Sequence, residues 1–555
     1  MSVLHSPRAE PEAGRGALLF WLVFVVLWFA TIGQRALIHP DEGRYAELSL
    51  SMLVSGDWVT PRLNGILYFE KPALQYWMGA LSFIVFGVNE FAARFWPALT
   101  GILSVLAVGL TARRLSGHGH AGQYAALVMG GSVWVIANSH FLSLDMGVSF
   151  FLTLTLCAFL WAQHDGASRL EQRYAMWLAW AAMAGATLSK GLIGLLIPGC
   201  TLALYSLICW QWGVWRRMQW LAGLAIFLAL TVPWFWLVSE RNPGFAQFFF
   251  IHEHFDRFLT SAHRRDEVWW FFVPVLLAGF LPWTSLLPRL ARESWPRRRP
   301  GEFQVERFAL IWALFIFAFF SKSNSKLPSY ILPMFPALSL LLGQTLSRMR
   351  AAEIKKHLLL PALLWALLAC AYPFVGRFAS ESSPLPVMQQ LAVYLAFGGV
   401  GFLLCAALAW HFLGREKILP AIMLVAAGSL WGVSLASVGH DQFGQLKSSK
   451  ALVRELRGEL RPEMEIFSVR MYEQTFPFYL QRPVTLVDYR DEFAFGQQAE
   501  PGRSIATLDE FIGRWQASPH AMAMLGTATF NELQQRGVAM KPVFQDARRM
   551  VVVKP

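Results

Sequence analysis

Residues 17–33 read ALLFWLVFVVLWFATIG, an apolar run with no charged side chain that is long enough to cross about 30 Å of hydrocarbon as a helix. Similar runs recur at 191–210, 219–238, 391–413 and 418–437. A backbone in lipid must satisfy its own hydrogen bonds, and continuous apolar runs of this length do so as helices. The alternating pattern of a membrane barrel is not what these runs show, so a strand barrel is excluded. Over the whole chain of 555 residues, 55% are hydrophobic and only 15% charged, against about a quarter charged in an average soluble chain. The fold class that follows is a polytopic α-helical membrane protein.

The formal net charge is +12, but in a membrane chain the placement of Lys and Arg orients the spans. Arg113 and Arg114, Arg169 and Arg173, Arg216 and Arg217, Arg297 to Arg299, Arg348 with Lys355 and Lys356, and Arg415 with Lys417 mark the cytoplasmic connections. Residues 72–87, PALQYWMGALSFIVFG, would put Arg113 and Arg114 outside if they crossed. They are short for a span and follow Lys71 at Pro72, so they are read as a helix lying on the membrane. The remaining runs predict spans near 17–33, 92–112, 121–138, 142–163, 174–188, 191–210, 219–238, 269–288, 306–320, 329–346, 357–375, 391–413 and 418–437, about thirteen in all. With the N-terminus inside, an odd count places the loops 34–91 and 239–267 outside, together with the tail. The expected division is a transmembrane part, 1–439, with interfacial helices in the 34–91 loop, and a soluble extracytoplasmic α/β part, 440–555. The tail alternates short apolar stretches (EIFSVR, RPVTLVDY, MVVVKP) with helical ones such as TLDEFIGRW.

Several functions are excluded at this stage. There is no glycine-rich phosphate loop and no long basic tract, which sets aside ATP hydrolysis and nucleic acid. The five cysteines fall inside apolar runs, so no disulfide or zinc framework is readable. The first apolar run is longer than the core of a signal peptide and follows acids as well as arginines, and it is expected to stay as an anchor.

The ionisable residues gather in the outer loops. The stretch 39–77 carries Asp41, Glu42, Arg44 and Glu47, then Tyr68, Glu70 and Lys71 just before the interfacial helix. Charge at a membrane-apposed position is costly unless paired or ligand-bound, which makes these residues functional candidates rather than a solvated surface. Asp145 opens the span 142–163 and needs a partner for the same reason. The loop 239–267 adds His252, Glu253, His254, Asp256 and Arg257. Residues two apart do not share a helix face, so the His-x-His pair is a poor metal site, whereas Arg257 suits phosphate. Lys322, Lys326 and Tyr330 lie in a third outer loop, and Lys190 reads as an interfacial anchor whose stem snorkels.

Taken together, HPDEGRYAE (39–47), DWVTPRLNGILYFEKPALQYW (57–77), FLSLDMGVSFF (141–151), TLSKGLIGLLIPG (187–199), the HEHFDRF loop and SKLPSYILP (325–333) resemble the polyprenyl-phosphate-sugar-dependent membrane glycosyltransferases. The resemblance takes in the protein O-mannosyltransferases and, more closely, the bacterial lipid A 4-amino-4-deoxy-L-arabinose transferases. It covers roughly residues 34–340 and is one of layout beyond that. It implies a GT-C type fold with Asp41 as principal catalytic acid and Asp145 as a second acid. It further implies Lys71 and Arg257 on the carrier phosphate, helped by Arg44 and Tyr330, and Tyr45, Tyr68 and Glu70 lining the pocket. Glu70 and His252 stand where the resemblance allows a divalent cation; no other cofactor is implied. The implied donor is an undecaprenyl-phosphate-linked sugar and the acceptor lipid A or another extracytoplasmic molecule. The implied place is the bacterial inner membrane, acting as a monomer with the site facing the periplasm, and the implied effect is resistance to polymyxin and other cationic peptides. A related transferase carrying another sugar is the nearest alternative. A lipid flippase or transporter is the alternative of another class, which the clustering of ionisable residues on one side and the lack of a visible internal repeat disfavour.

Overall fold

The computed structural model describes residues 11–116, 119–256, 267–295, 302–380 and 383–555. Among these, six helices are long and apolar enough to cross a membrane: Glu90–Leu115, Asp145–Gln163, Trp220–Arg241, Pro328–Arg348, Leu385–Gly414 and Ile418–Leu446. Two bent pairs, Phe272–Gly279 with Thr284–Glu293 and Ala351–Ala369 with Tyr372–Phe378, raise the number to eight if each is one span. The other expected runs also fold as helices, but shorter, broken or more polar ones. They are α1 (Pro11–Ala30), the interrupted pair α5 (Ala121–Gly131) and α6 (Val133–Ser139), α8 (Arg169–Lys190), α9 (Ile193–Cys209) and Val305–Lys322. Within the first half, α2 (Asp41–Ser55), α3 (Leu74–Phe86), α4 (Glu90–Leu115), α7 (Asp145–Gln163) and α10 (Trp220–Arg241) complete the helical set. Helix α3 has 13 residues, which at 1.5 Å per residue is too short to cross.

Burial separates the helices by role. The span Pro328–Arg348 is 89% buried and runs through the bundle, whereas α10 and Leu385–Gly414 are only 28% buried. Their exposed side chains are apolar, Leu221, Trp236, Phe397 and Leu404 among them, as a lipid-facing surface requires. At one end of the bundle the connections expected on a common side touch one another. Arg114 pairs with Glu171 at 2.7 Å, Arg289 with Glu353 at 3.0 Å, and the Asp165 carboxylate accepts from the Phe303 amide at 3.0 Å.

The chain after the last long helix, which runs on to Leu446, builds a five-stranded sheet from β3 (Glu465–Val469), β4 (Thr485–Val487), β5 (Ala521–Leu525), β6 (Lys541–Gln545) and β7 (Met550–Val553). A short hairpin, β1 (Arg62–Leu63) with β2 (Ile66–Leu67), belongs to the first outer loop. The sheet order is β4-β3-β5-β7-β6, with β4, β3 and β5 parallel and β7 and β6 antiparallel. Successive side chains on a strand face opposite ways, and both faces are used. Ile466, Leu486, Met522, Met524, Val551 and Val553 pack with Leu63, Ile66, Tyr68, Trp234 and Phe245 of the membrane part. Phe467, Val469, Val487, Ala523 and Val552 pack under Phe511 and Trp515 of the helix Leu508–Ala517 and Phe530 and Leu533 of the helix Thr527–Gln535.

The union is close at named points. A Cβ on Gly43 would lie 2.6 Å from the Gln474 carbonyl carbon, and one on Gly496 would lie 2.4 Å from the Leu67 carbonyl oxygen, so any side chain at either position would push the two parts apart. The Asn64 side chain exchanges hydrogen bonds with the Val484 backbone at 2.7 and 2.8 Å, as a strand neighbour would. Arg62 grips Glu500 through both nitrogens at 2.7 and 2.8 Å.

Candidate active site

Two adjacent acids open α2, and the fold gives them opposite surroundings. Glu42 is fully buried: Arg94 donates to it through Nε and Nη2 at 2.6 and 2.7 Å, and the Ile38 and Leu142 amides donate at 3.1 and 3.0 Å. Arg94, equally buried, spends its remaining donors on the carbonyls of Ile32, Arg35 and Ala36. Every strong donor in this pair is matched, which is the condition for a buried ion pair to persist. It ties the first outer loop to α4 and to the start of α7, so Glu42 is a structural acid. Asp41 is 41% exposed, pairs with Arg44 at 3.1 Å and faces a cavity of about 650 Å³.

Asp145, at the first turn of α7, lines the same cavity. Its carboxylate pairs with Lys190 at the end of α8 and accepts from the Ser329 hydroxyl at 2.6 Å. The Lys190 ammonium stands 4.8 Å from the centre of the Tyr330 ring. The reading of Lys190 as a snorkelling anchor is therefore corrected: its ammonium ends on a carboxylate, because an acid at the end of an apolar helix needs a countercharge. Loops far apart in sequence, at 145, 190 and 329–330, thus meet at one point.

Lys71 lies across from the second outer loop. Its ammonium pairs with Glu253 at 3.1 Å and donates to the Glu70 carbonyl at 2.6 Å. Glu253 sits on the helix Gln247–Asp256, so the first part of the 239–267 loop reaches Lys71 of the first outer loop. Arg257 lies just beyond that helix, outside the described residues, and the side chain of His252 lies outside them as well. Among the described residues no three His, Cys, Asp or Glu side chains gather to hold an ion. The divalent-cation expectation at Glu70 and His252 rests in part on a side chain outside those residues.

The tyrosines form a buried wall. Tyr45 stacks on Tyr76 with centroids 6.3 Å apart, and the Tyr68 and Tyr76 hydroxyls are buried with no protein partner among the described residues. Burial, then the Asp41 charge, raises the Tyr45 phenol above its ordinary range, and burial, then Glu70, does the same for Tyr68. All stay neutral and able to donate. Arg44 is shared: its Nε lies 2.7 Å from Glu492 of the C-terminal unit. Burial raises the Glu492 carboxyl and Arg44 opposes the rise. Sequence reading had no signal for Glu492, since nothing local relates positions 44 and 492.

The chain is similar to known proteins along most of its length. The family model described as dolichyl-phosphate-mannose-protein mannosyltransferase matches residues 15–249, and that of the aminoarabinose transferase C-terminal domain matches residues 452–554. The undecaprenyl phosphate-alpha-4-amino-4-deoxy-L-arabinose arabinosyl transferase of Pseudomonas paraeruginosa is 33% identical over 511 residues, 90% of each chain. The chain belongs to this aminoarabinose transferase family. It is thereby a multi-pass membrane glycosyltransferase, and the family match extends through the tail, where sequence reading found likeness of layout alone. The Pseudomonas aeruginosa relative is 33% identical over 506 residues, 85% of this chain and 89% of its own. Among solved structures, ArnT from Cupriavidus metallidurans bound to undecaprenyl phosphate is 37% identical, covers 98% of both chains and superposes with a TM-score of 0.92.

Proposed function

We propose that the chain moves 4-amino-4-deoxy-L-arabinose from undecaprenyl phosphate to a phosphate of lipid A, at the periplasmic face of a bacterial inner membrane. The observation that carries this reading is the meeting of Asp41 and Asp145 on one cavity, with Arg44 on Asp41 and Lys190 on Asp145. The family's donor and acceptor supply the rest. In the transfer, an anionic oxygen of the acceptor phosphate forms a bond to the anomeric carbon. The bond from that carbon to the carrier's phosphate oxygen breaks, and its electron pair leaves with undecaprenyl phosphate. A phosphate monoester is largely ionised at neutral pH, its second pKa being about 6, so no strong base is needed for this acceptor. Asp41 and Asp145 then serve to stabilise the positive charge that gathers on the anomeric carbon. Lys71, Arg257, Arg44 and Tyr330 hold the departing phosphate more strongly as its charge grows, which lowers the barrier. Tyr45 and Tyr68 stand against Arg44, Glu70 lies beside Lys71, and the tail from residue 440 lies on the same periplasmic side.

Purified chain incubated with radiolabelled polyprenyl-phosphate sugars and lipid A tests the proposal. Label from the aminoarabinose donor should appear on lipid A, and Lys71→Ala should lose undecaprenyl-phosphate binding about tenfold to a hundredfold, the range of one charge-assisted hydrogen bond. Transfer of a different sugar with none of aminoarabinose would sink the donor assignment, and label on an acceptor other than lipid A would sink the acceptor.

A further inference from the structure

Arg35, in the loop between α1 and α2, is 6% exposed and lines the cavity that holds Asp41 and Asp145. Its guanidinium donates to the His140 carbonyl. Among the described residues no carboxylate forms an ion pair with it, whereas Arg94 nearby has Glu42, Arg44 has Asp41 and Glu492, and Lys71 has Glu253. Burial, then the neighbouring Arg94, brings its pKa down to about 10 against the opposing pull of the Glu42 and Asp441 carboxylates. A buried charge of this kind is costly unless a ligand completes it. His440 and Ser437, on the helix Ile418–Leu446, line the same cavity and offer further donors. The remaining wall comes from Leu364, Trp365, Leu368 and Leu395, an apolar surface fit for acyl chains, while Lys71 and Tyr330 are not on it.

We propose that Arg35, with Ser437 and His440, is the phosphate-holding subsite for the acceptor lipid, opposite the donor's own cations. The ligand is a phosphate monoester carried on an acylated headgroup, and the assignment of that lipid as acceptor rests on the transferase reading above. One undecaprenyl phosphate and one acceptor phosphate are chemically alike, so the test must tell them apart.

The full-length chain in nanodiscs is assayed as wild type, Arg35→Gln, Arg35→Lys and His440→Glu, the last placing a carboxylate in the cavity that Arg35 lines. Binding of radiolabelled lipid A and of radiolabelled undecaprenyl phosphate is measured separately, and KM for lipid A is measured at saturating donor. Arg35→Gln and His440→Glu should each weaken lipid A binding and raise its KM about tenfold or more. Arg35→Lys should restore part of the loss, and undecaprenyl-phosphate binding should stay within twofold of wild type. Lipid A stripped of its phosphates should bind wild type and Arg35→Gln equally. Weakened carrier binding with unchanged lipid A affinity would overturn the proposal by giving Arg35 to the donor. Should Arg35→Gln fail to fold, an unchanged lipid A affinity in His440→Glu overturns it. A wild-type chain that binds lipid A through Arg35 but transfers no aminoarabinose would sink the transferase reading and leave this subsite standing.

Discussion

Replacing Glu42 by Gln and Asp41 by Asn, each a change of a single atom, should have opposite consequences. Glu42 accepts two hydrogen bonds at each oxygen: from Arg94 Nε and the Leu142 amide at one, from Arg94 Nη2 and the Ile38 amide at the other. Whichever oxygen becomes an amide nitrogen then faces two donors, and Arg94, with no exposed surface, keeps a charge with no partner. Breaking one member of a buried pair costs about 3–5 kcal/mol, a large share of a typical total of about 5–15 kcal/mol. At roughly 2–4 °C per kcal/mol for a larger protein, the melting temperature should fall on the order of 10 °C. Asp41 is 41% exposed, and Arg44 keeps Glu492 when Asp41 is neutralised, so Asp41→Asn should cost at most about 1 kcal/mol. Its transfer rate should instead fall by about 10²–10⁴. The assays are thermal unfolding of the solubilised chain and turnover with lipid A. A Glu42→Gln chain that melts with wild type, or an Asp41→Asn chain that melts as early as Glu42→Gln, would refute the division of labour between these neighbours.

Two further outcomes follow from the site. Lys190→Met leaves Asp145 with the Ser329 hydroxyl alone of its two named partners and should abolish most turnover, with Asp145→Asn in the same chain recovering folding but not activity; full turnover in Lys190→Met would show that the pair is unneeded. Glu47 is buried and accepts from the Asn64 amide at 2.9 Å through one oxygen only, and burial raises its pKa to about 8, above the unfolded value of about 4.3. The folded state therefore holds a proton there that the unfolded state gives up, so this contribution to stability is complete below pH 4 and is lost as pH rises through about 8. Melting temperature followed from pH 5 to 8.5 should decline less in Glu47→Gln than in wild type, and equal slopes would remove the assignment.

The C-terminal unit reaches the candidate site by contact. Glu492 pairs with Arg44, which also pairs with Asp41, and Gln474 donates to Glu492 at 2.7 Å, so a unit built more than four hundred positions later helps to hold Arg44. This explains why Gly43 and Gly496 are glycines at the seam: the backbone of one part lies where a side chain of the other would stand.

The amino-acid sequence by itself determined that the chain is helical and membrane-embedded, because continuous apolar runs have one stable answer in lipid. It also determined which loops hold the ionisable residues, since such residues are rare and costly beside hydrocarbon. The α/β character of the tail was legible because short apolar stretches alternate there with helical ones. What the sequence left open is which charge meets which. Glu42 and Asp41 are adjacent and alike in composition, and only the position of Arg94 on α4 makes one a structural acid while the cavity exposes the other. Lys190 looked like an anchor until Asp145 and Tyr330 were brought around it, and Arg35 gave no sign of importance before its burial on the cavity wall was visible. Pairing of charges is a property of distances across the bundle, and distances between helices are set by packing, which no local pattern along the chain records.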